Sequence, residues 1–148
     1  MAEIVSINVS KTKGVRKTPV DAVEIGPEGL EGDAHAGDWH RMVSLLALES
    51  VDKMRAAGLD VNPGDFAENL TTRGLDLLAL PLGTRLRVGD EVVLELTQHG
   101  KECHTRCAIY YQAGDCVMPR EGVFAKVIRT GTVRVGDPVE VLTGEAAP

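Results

Sequence analysis

Aromatic residues are scarce: two Phe, two Tyr and one Trp make up 3% of 148 residues. A nucleic-acid surface built on base stacking needs more than that, and the core has to come from Val, Leu, Ile and Ala. Cysteine is scarce too. Three thiols are an odd number and too few for a disulfide framework, so the expected setting is a reducing cytoplasm with thiols free or metal-bound. No apolar run approaches the length that spans a bilayer. The start Met1-Ala2-Glu3-Ile4 has no apolar stretch behind a basic one, so no signal peptide is expected. Positive charge is outnumbered, 16 Lys and Arg against 22 Asp and Glu, for a formal net charge of −6. A chain of that sign is not drawn as a whole to nucleic acid or to anionic membrane, and neither is expected as a partner.

What is present suits strands. The hydrophobic share is 43% and largely aliphatic or β-branched. The length fits one domain with a real core, taken as residues 1–142, and 143–148 reads as a flexible C-terminal tail. Ile4 to Val9, Val20 to Ile25 and Arg41 to Leu46 read as strands. Leu48 to Ala57 reads as a helix, with Leu48, Val51 and Met54 on one face and Gly58 as its stop. Asp65 to Asn69 is a turn or a short second helix. Leu86-Arg87-Val88-Gly89-Asp90-Glu91-Val92-Val93-Leu94 is echoed by Val133-Arg134-Val135-Gly136-Asp137-Pro138-Val139-Glu140-Val141, each a strand, a Gly-Asp turn and a strand. Short strands, tight turns and one clear helix predict a mainly β chain, a β-barrel with a small helical addition.

Chemistry concentrates in Gly100-Lys101-Glu102-Cys103-His104-Thr105-Arg106-Cys107, directly after a strand. A thiol among cations titrates readily, and its thiolate is both a nucleophile and a soft-metal ligand. Cys103, Cys107 and Cys116 with His104 or His99 could instead hold a structural zinc, although the paired CxxC spacing typical of zinc is absent. Cys116, beside Val117 and Met118, reads as a buried hydrophobe. A second candidate is the polar loop Gly32 to Arg41, which carries Asp33, His35, His40 and Arg41. A third is Pro63 to Thr72, where Glu68 and Asn69, bracketed by Phe66 and Leu70, read on spacing alone as structural. Lys11, Lys13, Arg16 and Lys17 form a cationic window that is either an anion site or a solvated loop.

Taken in order, these pieces resemble a MOSC domain, the family named for the C-terminal domain of molybdenum cofactor sulfurases. The residues that carry the resemblance are Gly29-Leu30-Glu31-Gly32-Asp33-Ala34-His35, Arg41-Met42-Val43-Ser44-Leu45, Pro63 to Leu70, Leu86-Arg87-Val88-Gly89-Asp90, Cys103 and Val135-Gly136-Asp137. Ala67 stands where the family has Gly, and Glu102 where a proline commonly precedes the cysteine. Cys107 is an additional thiol; distance from the strand favours Cys103 as the family cysteine.

The resemblance implies a barrel like the one inserted in pyruvate kinase. It implies a pocket for the molybdenum cofactor (molybdopterin), or sulfur carried as a persulfide. Cys103 is then the catalytic and molybdenum-ligating residue, with Cys107 as the alternative ligand. Lys101, Arg106, His35, Arg41, Asp33, Glu68 and Asn69 form the cofactor-binding set. Three functions stay open: a cofactor-binding or sulfur-carrying protein, a molybdenum-dependent reductase of N-hydroxylated substrates, and a non-catalytic barrel with a zinc site. The expected partners are a small-molecule cofactor and a cysteine desulfurase or an electron-transfer protein. Pyridoxal phosphate is not expected to bind directly, because the desulfurase domain of the sulfurases is not part of the chain.

Overall fold

Residues 2–10, 17–33, 43–58, 60–66, 68–99 and 122–142 are described in the computed structural model. They form β1 (Glu3–Val9), β2 (Thr18–Val20), β3 (Ala22–Gly26), β4 (Gly29–Leu30), β5 (Val43–Ala47), helix α1 (Leu48–Ala56), β6 (Leu70–Arg73), a 3-10 turn at Leu77–Ala79, β7 (Arg85–Val88), β8 (Val92–His99), β9 (Val123–Arg129), β10 (Gly131–Arg134) and β11 (Val139–Leu142). Eight strands pair in the order β11-β7-β8-β9-β5-β6-β1-β2, and three in the order β10-β3-β4. The described residues are mainly β with one α-helix. The pairings do not close either sheet into a ring among the described residues, so the expected barrel is not seen as such. Three backbone bonds do join the start of the chain and β1 to β11 and the turn before it. Ile4 N–H donates to Asp137 O (2.9 Å), Gly136 N–H to Ile4 O (2.7 Å) and Val139 N–H to Ala2 O (3.0 Å).

Side-chain alternation explains most of the core. Leu86 and Val88, and Val92, Leu94 and Leu96, are buried at every second position, while Val123, Phe124 and Ala125 are buried in succession. In β1 the register slips between Ile4 and Ser6. The bulge lets Ile4 and Ile7, three apart, both enter the core while Ser6 and Asn8 are buried on the opposite face.

Three expectations change. Val20 to Ile25 is not one strand: the chain bends at Asp21, so that β2 pairs with β1 and β3 joins the smaller sheet. Pro19 lies in β2, which is an edge strand, where its missing N–H costs no ladder bond. The second Gly-Asp echo is not a hairpin, since β10 pairs with β3 and β11 with β7. Pro138, without an N–H, interrupts the pairing there, and the turn carries the chain between sheets. Finally, the choice between a turn and a short helix left open for Asp65 to Asn69 narrows to a turn, at Pro63–Phe66. Gly64 has φ +91°, which no right-handed helix accepts.

Of the strand expected from Arg41 to Leu46, Val43–Ala47 is seen, and residues 41 and 42, like the expected tail 143–148, lie outside the described residues. Gly89-Asp90 joins β7 to β8. Val51 and Met54 of α1 are buried, and Gly58 follows the helix at φ +101°. The helix is the crossover between β5 and β6, a parallel pair. No helix among the described residues is long and apolar enough to cross a membrane.

Strand directions decide where the candidate segments leave the sheet. β5 and β6 are parallel and start at one end, with Val43 and Leu70. β9 is antiparallel to β5, and β8 to β9. β8 therefore ends, at His99, where β5 passes into α1. His99 lies at that end, whereas Asp33, Glu68 and Asn69 belong to the opposite one.

Candidate functional site

Cys103, Cys107, Cys116, Lys101, Arg106, His104, His35, His40, Arg41, Lys11, Lys13 and Arg16 lie outside the described residues. Asp33, Glu68, Asn69 and Lys17 lie within them, and all four are buried.

Asn69 precedes β6 and binds across to β5 and β1. Its Oδ1 accepts from Ser44 N–H (2.9 Å) and from Ser44 Oγ (3.1 Å). Its own N–H meets Ser44 O (3.0 Å) and Oγ (2.9 Å), and its Nδ2 donates to Asn8 O (3.3 Å). Asn8 N–H donates to Asn69 O (2.7 Å) in return. The start of a parallel strand pair leaves backbone groups that the ladder does not reach, and a buried amide satisfies them. Asn69 is 0% exposed.

Glu68 is the electrostatic exception. Its Oε2 accepts from Gly64 N–H (3.0 Å) and Thr71 Oγ1 (2.7 Å). Its Oε1 is buried and has no hydrogen-bond partner among the described residues. Burial pushes the carboxyl above the ordinary carboxylate range, against the Gly64 and Thr71 bonds, which pull it down. Thr71 also accepts from Asn8 Nδ2 (3.2 Å), and Asn8 Oδ1 accepts from Ser6 Oγ (2.7 Å). One buried polar chain thus runs from β1 through β6 to the Gly64 turn. Gly64 itself cannot carry a side chain. A Cβ there would lie 2.7 Å from Lys17 O and 3.0 Å from the Asn8 amide.

Asp33 and Lys17 form an ion pair of 2.7 Å whose side chains are 0% and 1% exposed. The same Asp33 Oδ1 accepts from Ser10 N–H (2.9 Å). Lys17 N–H donates to Gly64 O (2.8 Å). Lys17, expected as part of a cationic window, has therefore turned its ammonium inward.

At the other end, the ring Nε2 of His99 donates to Leu80 O (2.7 Å). A cavity of about 660 Å³ opens there, lined by Ala47, Glu49, Ser50, Lys53 and Gly74 to Leu78. Among the described residues no three His, Cys, Asp or Glu side chains gather as metal ligands.

Sequence reasoning singled out Asp33, Glu68 and Asn69 but not Asn8, Ser6, Thr71 or Ser44 as their partners. The available signal was Ser6 and Asn8 at alternate positions of an otherwise apolar strand.

Residues 32–140 match the model of the MOSC domain. The crystal structure of the YuaD protein from Bacillus subtilis is similar with a TM-score of 0.80 at 19% identity, over 98% of either chain. That of YiiM from Geobacillus stearothermophilus gives 0.74 at 25%, over 99% of this chain and 78% of the other. That of YiiM from Escherichia coli gives 0.70 at 24%, over 97% and 71%. No curated protein matches the sequence.

Proposed function

The chain belongs to the MOSC domain family, which is associated with molybdenum cofactor binding, and from that premise we propose that it binds this cofactor or carries sulfur on Cys103. The observation that carries the reading is the extent of the match: residues 32–140 span the thiol segment and both polar segments.

The donor set fits the group. Cys103 supplies a soft thiolate, with Cys107 as the alternative, and Lys101, Arg106 and Arg41 supply charge for a phosphate. At the described end, a buried carboxyl oxygen of Glu68 has no hydrogen-bond partner among the described residues. Bound, the cofactor would bring molybdenum redox and atom-transfer chemistry. Cys103 would ligate or carry sulfur, Lys101, Arg106 and Arg41 would hold the anion, and His35 would line the pocket. Asp33, Glu68 and Asn69, buried and bonded to protein groups, would support that pocket from beneath.

The same reading takes residues 1–142 as one domain whose larger sheet curls until the first and last strands meet. The bonds between Ala2–Ile4 and Gly136–Val139 support that closure. It puts the protein in the cytoplasm, supplied with sulfur by a cysteine desulfurase or with electrons by a protein partner. The same residues serve a reductase of N-hydroxylated substrates, so only assay separates reduction from sulfur carriage.

The test is elemental analysis of protein from cells that make molybdenum cofactor, wild type beside Cys103→Ser. Molybdenum in the wild type that is lost in the variant is the expected result. Zinc instead, lost in the variant, returns the structural-zinc reading. With neither metal, intact mass should show one added sulfur on the wild type alone, and its absence as well would overturn the proposal.

A further inference from the structure

The outward face of strands β11, β7, β8 and β9 carries a charge pattern that the candidate site does not use. Leu86, Val88, Val92, Leu94, Val139 and Val141 turn to the core, so their neighbours turn out. The registers set those neighbours in two rows across the four strands. One row runs Leu142, Arg85, Glu95, Lys126, and the other Glu140, Arg87, Val93, Arg129. Arg85, Lys126, Arg87 and Arg129 thus mark the corners of a rectangle of about 10 by 7 Å, two strand spacings across and two residues along β7. Glu95 and Val93 lie midway along its long sides. Glu95 accepts from Arg85 Nε (3.1 Å) and lies 3.4 Å from Lys126 Nζ. Glu140 pairs with Arg87 at the rim. Four cations against two acids leave this face positive on a chain of net charge −6. The face is also open. The side chains of Arg87 and Lys126 are 47% and 46% exposed. Ile128, in the β9 bulge beside Arg129, is 40% exposed. Helix α1 packs on β5 and β6 instead.

We propose that this face docks an acidic segment of another protein, extended and with carboxylates at alternate positions. In an extended chain residues i and i+2 point the same way, about 7 Å apart, which is the step from Arg85 to Arg87. Three of the four corners are Arg, whose planar fork holds a carboxylate through two bonds. Glu95 keeps Arg85 and Lys126 directed. Exposed ion pairs bind weakly by themselves, and Val93 and Ile128 add the apolar contact that a purely ionic patch lacks. A nucleic acid would meet no aromatic side chain in either row on which to stack a base. The negative charge of the whole chain also opposes a long polyanion. The partner is therefore a short stretch of protein, and its binding is weak and salt-sensitive. The proposal depends neither on molybdenum nor on the thiol.

The test is an NMR titration at low salt with a synthetic peptide of about twelve residues, Glu alternating with Ser, long enough to cross the face. The amides of Arg87, Val93, Glu95, Lys126 and Arg129 should shift, with those of Ile7 and Leu70 unmoved. Affinity should fall about tenfold on going to physiological salt. The same peptide with Gln in place of Glu should not bind. Arg87→Gln/Arg129→Gln changes two exposed side chains and should melt near the wild type, yet bind the Glu peptide about tenfold more weakly. Glu140→Gln takes an acid from the rim and should strengthen binding about twofold. Shifts centred elsewhere, or a double variant that binds as the wild type does, overturn the proposal. An oligothymidylate of equal charge that binds these amides more tightly than the peptide also overturns it, since the face then recognises phosphate. If the double variant does not fold, Glu140→Gln decides alone, and binding no tighter than wild type overturns the proposal.

Discussion

Asn69 uses both ends of its side-chain amide, and Ala would keep neither. Asn69→Ala removes the shared acceptor of Ser44 N–H and Oγ and the donor to Asn8 O, all in the interior. A buried hydrogen bond contributes about 1 kcal/mol. With three such bonds lost together, the variant should lose about 3 kcal/mol in urea unfolding; a loss under about 1 kcal/mol would mean the amide is not the hub described. Glu68 calls for a pH experiment. Its folded pKa is raised because burial disfavours the charge. The folded state then binds its proton more tightly than the unfolded state does. Its favourable contribution is complete below the ordinary carboxylate pKa and is lost as pH rises through the raised value. Glu68→Gln, the neutral shape, should remove that loss. Its melting temperature relative to wild type should climb between pH 5 and pH 8, and a difference that stays flat would show Glu68 titrating normally.

At the scale of elements, the two Gly-Asp turns look alike in sequence and differ in surroundings. Gly89 and Gly136 both have positive φ, +69° and +94°. A methyl on Gly136 would meet nothing, whereas one on Gly89 would lie 2.7 Å from the Asp137 carboxylate. That carboxylate in turn accepts Arg134 N–H (2.8 Å). Gly136→Ala should therefore cost about 1 kcal/mol for the left-handed backbone alone, and Gly89→Ala about 1 kcal/mol more as the Asp137 turn yields. Equal costs would show that the turns do not touch. The contrast also marks what a sequence can reveal. Local devices were legible: the Gly89-Asp90 hairpin, the face of α1 with its Gly58 stop, and the strand of Val43 to Leu46. Partner choice was not. Val133 to Val141 has every mark of a hairpin, yet its halves pair with β3 and β7, because pairing is settled by distant strands. The site behaves likewise. Asp33, Glu68 and Asn69 stood out by type and motif, but that Asp33 would meet Lys17, and Asn69 meet Ser44, depends on contacts across 16 and 25 residues of chain.

For the whole molecule, the question is whether the larger sheet has a free edge at β11. An open edge presents unpaired N–H and C=O groups and invites pairing with another chain. Here β1 meets the turn before β11 through Ile4 N–H to Asp137 O, Gly136 N–H to Ile4 O and Val139 N–H to Ala2 O. The Gly89 N–H to Pro138 O bond (2.9 Å) ties the same turn to the β7–β8 hairpin. Bulges in β1 and β8 add the bending that closure requires. If these bonds make a seam and not a chance contact, the seam should open only when the molecule unfolds. The amides of Ile4, Gly136 and Val139 should then exchange within about tenfold of Leu94 in β8, which lies between two strands. Those of β2, on an edge, should exchange far faster. Exchange at Ile4 and Gly136 as fast as at β2 would mean that the sheet has a free edge there and that these bonds are no seam.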